Sequence, residues 1–193
     1  MNAPECGLGR CAFADRCRSG EQCLDLSQLL PKHALCKGET CLYTGRVLTL
    51  GGAPIAGARI DVWSDNAEGF YSVQQPGLQD KWNNRGVFIT GPDGHYEFIG
   101  IKPVSYPIPD DGPVGKMLTA LGRHPRRPAH MHFMITAPGY QRLVTHTFVG
   151  DDPWLSTDAV FGVKASLIAP FEPATDGRTR WRSPFDFVLI PSG

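Results

Sequence analysis

His130 and His132 stand two residues apart in Arg127-Pro-Ala-His-Met-His-Phe133. In an extended chain successive side chains point to opposite faces, so positions i and i+2 share one face. The pair therefore predicts two imidazoles offered to one ion, with Met131 and Phe133 turned the other way into a core. Two strand histidines in a polar network would carry the same pattern. Upstream, Tyr71 in Gly69-Phe-Tyr-Ser72 and Tyr106 in Ser105-Tyr-Pro107 supply two phenols. Each alone also reads as a half-buried aromatic with a hydrogen-bonded hydroxyl or a ring packed on proline. Taken together, two phenolates and two imidazoles make a hard, partly anionic donor set. Such a set favours ferric iron, Fe(3+), over zinc or ferrous iron, because phenolate oxygen stabilises the higher charge. A bound cation can ionise a tyrosine whose pKa is ordinarily about 10. Arg127, three residues before the first histidine, is either a surface ion-pair partner or a fixed cation beside the metal. In the second role it would stabilise negative charge developing on a substrate.

Short strands have to position these groups. From about Gly38 the chain consists of apolar runs broken by Gly and Pro, which predicts an all-β domain, a sandwich or barrel. Strands are expected over Leu42–Leu50, ending at Gly51-Gly52, and over Ala58–Trp63, where Ile60 and Val62 share a face. Val87–Thr90 and His95–Ile99 flank Pro92-Asp93-Gly94, a turn in which proline presets φ and glycine accepts a positive one. Ala129–Ala137 and Arg142–Val149 form a hairpin across Pro138-Gly139, and Phe185–Ile190 is a last strand. Helix signals are few: a short turn at Gly115–Leu121 and a short helix near Leu24–Leu30. The proline-rich stretch Ser105–Pro113 is a stiff loop with few backbone donors, suited to holding a side chain at the rim of a site.

Composition narrows the function classes. Formal net charge is zero, which gives no electrostatic case for nucleic acid or an anionic membrane. No apolar run approaches the roughly 20 residues needed to span a bilayer, and the first residues lack the apolar stretch of a signal peptide. The reading is a cytoplasmic chain. All six cysteines (Cys6, Cys11, Cys17, Cys23, Cys36, Cys41) lie near the start. No CxxC pair occurs among them, and the compartment favours free thiols over disulfides. Two parts follow: an irregular Cys-rich segment, 1–37, and a β-sandwich, 38–193.

Several motifs in fixed order carry a family resemblance. They are Pro54-Ile-Ala-Gly-Ala-Arg-Ile-Asp-Val-Trp63, Gly69-Phe-Tyr-Ser72, Thr90-Gly-Pro-Asp-Gly-His-Tyr-Glu-Phe98, Tyr106-Pro-Ile-Pro109, Asp111-Gly-Pro113, Gly122-Arg-His124 and Arg127-Pro-Ala-His-Met-His-Phe133. Over Gly38 to Phe171 the chain resembles the intradiol ring-cleaving dioxygenases of the catechol and hydroxyquinol 1,2-dioxygenase type. The resemblance implies a β-sandwich carrying a non-haem Fe(3+) ion on Tyr71, Tyr106, His130 and His132. It implies that a small aromatic diol and O2 are the reactants, that Tyr106 yields its place when substrate binds, and that Tyr71 stays. It makes Arg127 an active-site arginine, and Ile108 and Pro109 positions of the substrate pocket. His146 stands where many catechol enzymes have glutamine. Together with Asp158-Ala-Val-Phe-Gly-Val163 it resembles the hydroxyquinol branch, and it is assigned to substrate binding. Members of this type carry a helical N-terminal segment of about a hundred residues, the size of a small domain, that dimerises and closes one wall of the pocket. Here 37 unmatched residues stand in that place, and a homodimer remains allowed. The alternative reading is a non-catalytic prealbumin-like binding module, since Gly52-Ala-Pro-Ile-Ala-Gly-Ala58 also suits that kind of sandwich.

Overall fold

The computed structural model describes residues 38–193. The expected helix at Leu24–Leu30 and the first five cysteines lie outside the described residues. Cys41 lies within them as a fully buried free thiol, and burial pushes its pKa up to about 12.

In chain order the elements are β1 (Thr40–Thr49), β2 (Arg59–Trp63), β3 (Arg85–Ile89), β4 (His95–Ile101), β5 (Tyr106–Pro107), α1 (Pro113–Ala120), β6 (Arg126–Arg127), β7 (His130–Thr136) and β8 (Leu143–Val149). They are followed by β9 (Ile168–Ala169), β10 (Glu172–Pro173), β11 (Trp181–Pro184) and β12 (Phe187–Leu189). One sheet is built on β1, which pairs antiparallel with β4 and, on its other side, parallel with β11 and then β12; β10 completes it. The second sheet has the order β3-β2-β7-β8-β9. β5 and β6 form a separate two-stranded ribbon.

The two sheets close on an aromatic core. Tyr43, Tyr96, Phe98 and Phe187 of the first meet Ile60, Val62, Met131, Phe133 and Ile135 of the second. Phe98 stacks on Tyr43 with centroids 4.9 Å apart, and Phe133 packs on Phe187 at 4.7 Å. Aromatic pairs at such distances add to the area they bury. Alternation then dictates the rest: because Met131, Phe133 and Ile135 face the core, His130 and His132 lie on the outer face of the second sheet.

The turns are where local chemistry required them. Gly94 has φ 71° and its N–H donates to Gly91 O at 2.9 Å. Asp93 Oδ1 accepts from His95 N at 3.1 Å. The helix is longer than the expected Gly115–Leu121. Pro113 occupies its first turn, where a missing N–H costs nothing. The short strands β9, β10 and β11 carry no period that could have announced them.

Candidate metal centre

Four loops and strands bring the chemistry-bearing residues together on that outer face. β7 supplies His130 and His132. Trp63 sits opposite His132 in the β2–β7 register and stacks on its ring, centroids 4.9 Å apart and planes within 5°. The indole thus fixes the tilt of the imidazole. His130 is fully buried, and its Nδ1–H donates to Pro128 O at 2.7 Å. A carbonyl can only accept, so the proton is on Nδ1 and the Nε2 lone pair is left bare toward the centre.

Tyr71 comes from the loop after β2. That loop folds around Asn66, whose Oδ1 accepts from the backbone N–H of Glu68 and of Phe70, both at 3.0 Å. Tyr71 is then pinned by its own N–H donating to Gln74 Oε1 at 2.7 Å. Gly69 has φ 83°, and a Cβ on it would stand 3.2 Å from Tyr106 Cβ. Glycine at this position therefore lets the two tyrosine-bearing segments approach. Tyr106 comes from β5, in register opposite Arg127 of β6. Two backbone pairs deliver a phenol and a guanidinium to the same edge of the centre.

The donor atoms converge. Tyr71 Oη is 3.2 Å from Tyr106 Oη, 3.1 Å from His132 Nε2 and 3.5 Å from His130 Nε2. Tyr106 Oη is 3.4 Å from His130 Nε2. Bonds of about 2.1 Å to one ion, at angles between about 90° and 120°, need donor–donor edges of roughly 3.0–3.6 Å. All four distances fall in that interval. Among the described residues no group of three or more His, Cys, Asp or Glu side chains is set to hold a metal, so an ion here must take the phenol oxygens.

Electrostatics point the same way. Burial, and next the Arg127 charge, hold the His130 pKa down at about 2. Burial and the neighbouring His146 hold His132 at about 4. Both imidazoles are neutral, the form that ligates. Burial and the Tyr106 hydroxyl push Tyr71 well above the ordinary phenol range. Without a cation the Tyr71 phenol keeps its proton, so its ionisation has to be driven by one.

Arg127 is no surface ion-pair partner. Its Nε donates to Asp158 Oδ1 at 3.3 Å, with the two side chains only 12% and 2% exposed. Its Nη1 lies 3.2 Å from His130 Nε2. His146 faces His132 across the β7–β8 pair, ring centroids 5.6 Å apart. Its Nε2 is buried and has no hydrogen-bond partner. Ile108 is half-buried and Pro109 exposed. They continue from Tyr106, with Ile108 N–H donating to Pro125 O at 2.9 Å. Sequence reasoning had not singled out Trp63 or Pro128 as supports of the histidines, nor Asp158 as the partner of Arg127.

A family described as "Dioxygenase" matches residues 20–191, most of the chain. The chain belongs to the intradiol dioxygenase family. The match runs past both ends of the Gly38–Phe171 resemblance and into the Cys-rich segment. A hydroxyquinol 1,2-dioxygenase of Rhizobium sp. is 55% identical over 163 residues, 79% of this chain and 55% of that one. A 6-chlorohydroxyquinol 1,2-dioxygenase of Cupriavidus pinatubonensis is 53% identical over 156 residues, 81% of this chain and 55% of that one. The crystal structure of a hydroxyquinol 1,2-dioxygenase from Pseudomonas putida superposes with a TM-score of 0.77 at 45% identity, covering 82% of this chain and 59% of that one. The chain thus spans little more than half the length of these intradiol dioxygenases. Among the described residues no helix is long and apolar enough to cross a membrane.

Proposed function

We propose that this dioxygenase-family chain cleaves a catechol-type diol between its two hydroxylated carbons, inserting both atoms of O2, with hydroxyquinol as the favoured substrate. The observation that carries this reading is the convergence of Tyr106 Oη, His130 Nε2 and His132 Nε2 on Tyr71 Oη at 3.1–3.5 Å, with Tyr106 Oη 3.4 Å from His130 Nε2. The same four residues would hold Fe(3+), their phenolates cancelling two of its three charges. When bound, the ferric ion supplies the Lewis acidity and electron-accepting power that make a diol reactive toward O2 without an external reductant.

The chain's own groups do the remaining work. His130 Nε2 is held bare by the Nδ1–H bond to Pro128 O, and the Trp63 stack fixes the tilt of the His132 ring. Tyr71 is anchored through Gln74 and stays in place. Tyr106 sits on the short β5–β6 ribbon outside the two larger sheets; in this reading it swings outward, its phenolate Oη accepting a proton from the incoming diol. Arg127 Nη1, aimed at the centre, stabilises negative charge that develops on the ring. His146 Nε2, buried without a partner, offers a hydrogen bond to a third ring hydroxyl, and this favours hydroxyquinol over catechol. Ile108 and Pro109 line the entrance beside Tyr106. A passive binding module would have no use for this donor set.

Parallel aerobic incubations with hydroxyquinol and catechol, with products identified by mass, test the proposal. Ring-opened diacids carrying both oxygen atoms of labelled O2 are expected, formed faster from hydroxyquinol. Unchanged diols, or products with one labelled atom, would refute it.

A further inference from the structure

Asp158 makes contacts that an ordinary ion pair does not need. Its carboxylate is buried and saturated: Oδ1 accepts from Arg127 Nε at 3.3 Å and from the Val160 N–H at 3.3 Å, and Oδ2 accepts from the Gly162 N–H at 2.8 Å. A carboxylate held at both oxygens cannot rotate. The surrounding backbone is tied down as well. Asp158 O accepts from Arg123 Nη2 at 2.8 Å, and Ala159 N–H donates to Arg126 O at 3.0 Å, joining the segment to β6. Phe161 is held at φ 57° with its ring under the Arg123 guanidinium, 3.8 Å away. A non-glycine residue in that region is strained, and it persists only where its surroundings over-determine it. A side chain on Gly162 would crowd the pair: a Cβ would stand 3.1 Å from Asp158 Oδ2 and 3.2 Å from Arg127 Nη2.

We infer that Asp158 is a positioning residue for Arg127, and that the closed turn 158–162 exists to fix the plane of that guanidinium. Engaging Nε leaves both terminal nitrogens free. Nη1 then lies 3.2 Å from His130 Nε2. Nη2 lies in the corner beside Gly162, 3.2 Å from where a Cβ on that residue would stand. Asp158 touches none of the four donor atoms and acts through Arg127. This inference rests on the proposed dioxygenase reading, and its test separates the two.

The isosteric D158N variant keeps the side-chain volume but puts an amide N–H either against the Gly162 N–H, losing one of the three bonds, or against Arg127 Nε and the Val160 N–H, losing two. In the full iron-loaded chain, D158N is expected to lower kcat about 10- to 100-fold, the usual size of an outer-shell defect. Iron content should change little; the thermal midpoint falls because the buried guanidinium loses its counter-charge, so kcat is read well below it. In an R127Q background the same substitution should change kcat less than about twofold, because the residue it acts through is already gone. Equal losses in both backgrounds, or full activity of D158N alone, would overturn the inference. A second readout does not depend on activity. In the 15N-labelled full chain stripped of iron, the Arg127 Nε–H should exchange slowly with solvent, and D158N should speed that exchange at least tenfold. Equal exchange in the two proteins would overturn the inference. A chain that cleaves no diol yet shows the exchange difference would instead defeat the dioxygenase reading and leave the positioning role standing.

Discussion

Tyr71 and Tyr106 lie 35 residues apart in the chain and bring their phenol oxygens to 3.2 Å. Two half-buried hydroxyls satisfy each other weakly. Placed beside two neutral imidazoles with bare nitrogens, they form an arrangement that gains most from a shared cation, which replaces weak mutual hydrogen bonds with charge.

The two phenols should differ on substitution. Tyr106→Phe removes the donor on the β5–β6 ribbon: the protein should keep most of its iron while turnover falls about 100-fold or more, the size of effect expected for a group acting at the reacting atoms. Tyr71→Phe removes the anchored donor, which contacts both histidines, and should weaken iron retention about 10- to 100-fold. Iron content after dialysis against a chelator, measured with kcat, distinguishes the two. Identical behaviour would contradict the assigned roles.

His146 tests substrate choice. His146→Gln should shift the ratio of kcat/KM for hydroxyquinol over catechol toward catechol by about tenfold, the cost of one hydrogen bond to a substrate hydroxyl. Competition kinetics with both diols in one vessel gives the ratio directly. An unchanged ratio would remove His146 from the substrate pocket.

Gly69 should not tolerate a side chain. Gly69→Ala adds strain at φ 83° and places a Cβ 3.2 Å from Tyr106 Cβ. A loss of about 1–2 kcal/mol in stability is expected. Turnover should fall more than that loss explains, because the two tyrosine-bearing segments are forced apart. Denaturant midpoints and kcat on one preparation check both parts.

The histidine pair was legible in the sequence because strand alternation is a local property. Met131 and Phe133 are in the core, and the imidazoles are on the opposite face. The hairpin across Gly139 and the turn at Gly94 were legible for the same reason, through residues that permit positive φ. Tyr71 and Tyr106 are loop residues, and their partnership was readable only from the order of several motifs. The β5–β6 ribbon was not readable, since two-residue strands leave no period and their pairing is set by tertiary contacts. Asp158 stood in a recognised motif. Its bond to Arg127 spans 31 residues, a distance over which spacing carries no information.

A pH-dependent stability follows from Asp65, which lies in the loop between β2 and Tyr71 and played no part in the sequence reading. It is 1% exposed, and neither carboxylate oxygen has a hydrogen-bond partner of good geometry. Burial raises its pKa from 3.8 to about 7, only weakly opposed by the Val104 N–H. Tyr43 and Tyr71 are the ionisable groups that feel its charge. Below about pH 4 both folded and unfolded chains hold the proton, and there is no penalty. Between 4 and 7 only the folded chain holds it, so stability falls as pH rises through that window and is lowest above it. Asp65→Asn should therefore stabilise the protein by about 1–3 kcal/mol at pH 8 and by much less at pH 4. Urea unfolding at the two pH values measures the difference; an equal effect at both would show that Asp65 does not change protonation on folding.

The central claim is that two phenolates and two imidazoles share one ferric ion. Titration of the full chain with Fe(3+), followed by visible absorption, tests it most directly. One iron per chain is expected, with a broad phenolate-to-iron charge-transfer band that gives a red to brown protein and weakens in Tyr106→Phe. A colourless protein that retains no Fe(3+) after desalting would contradict it.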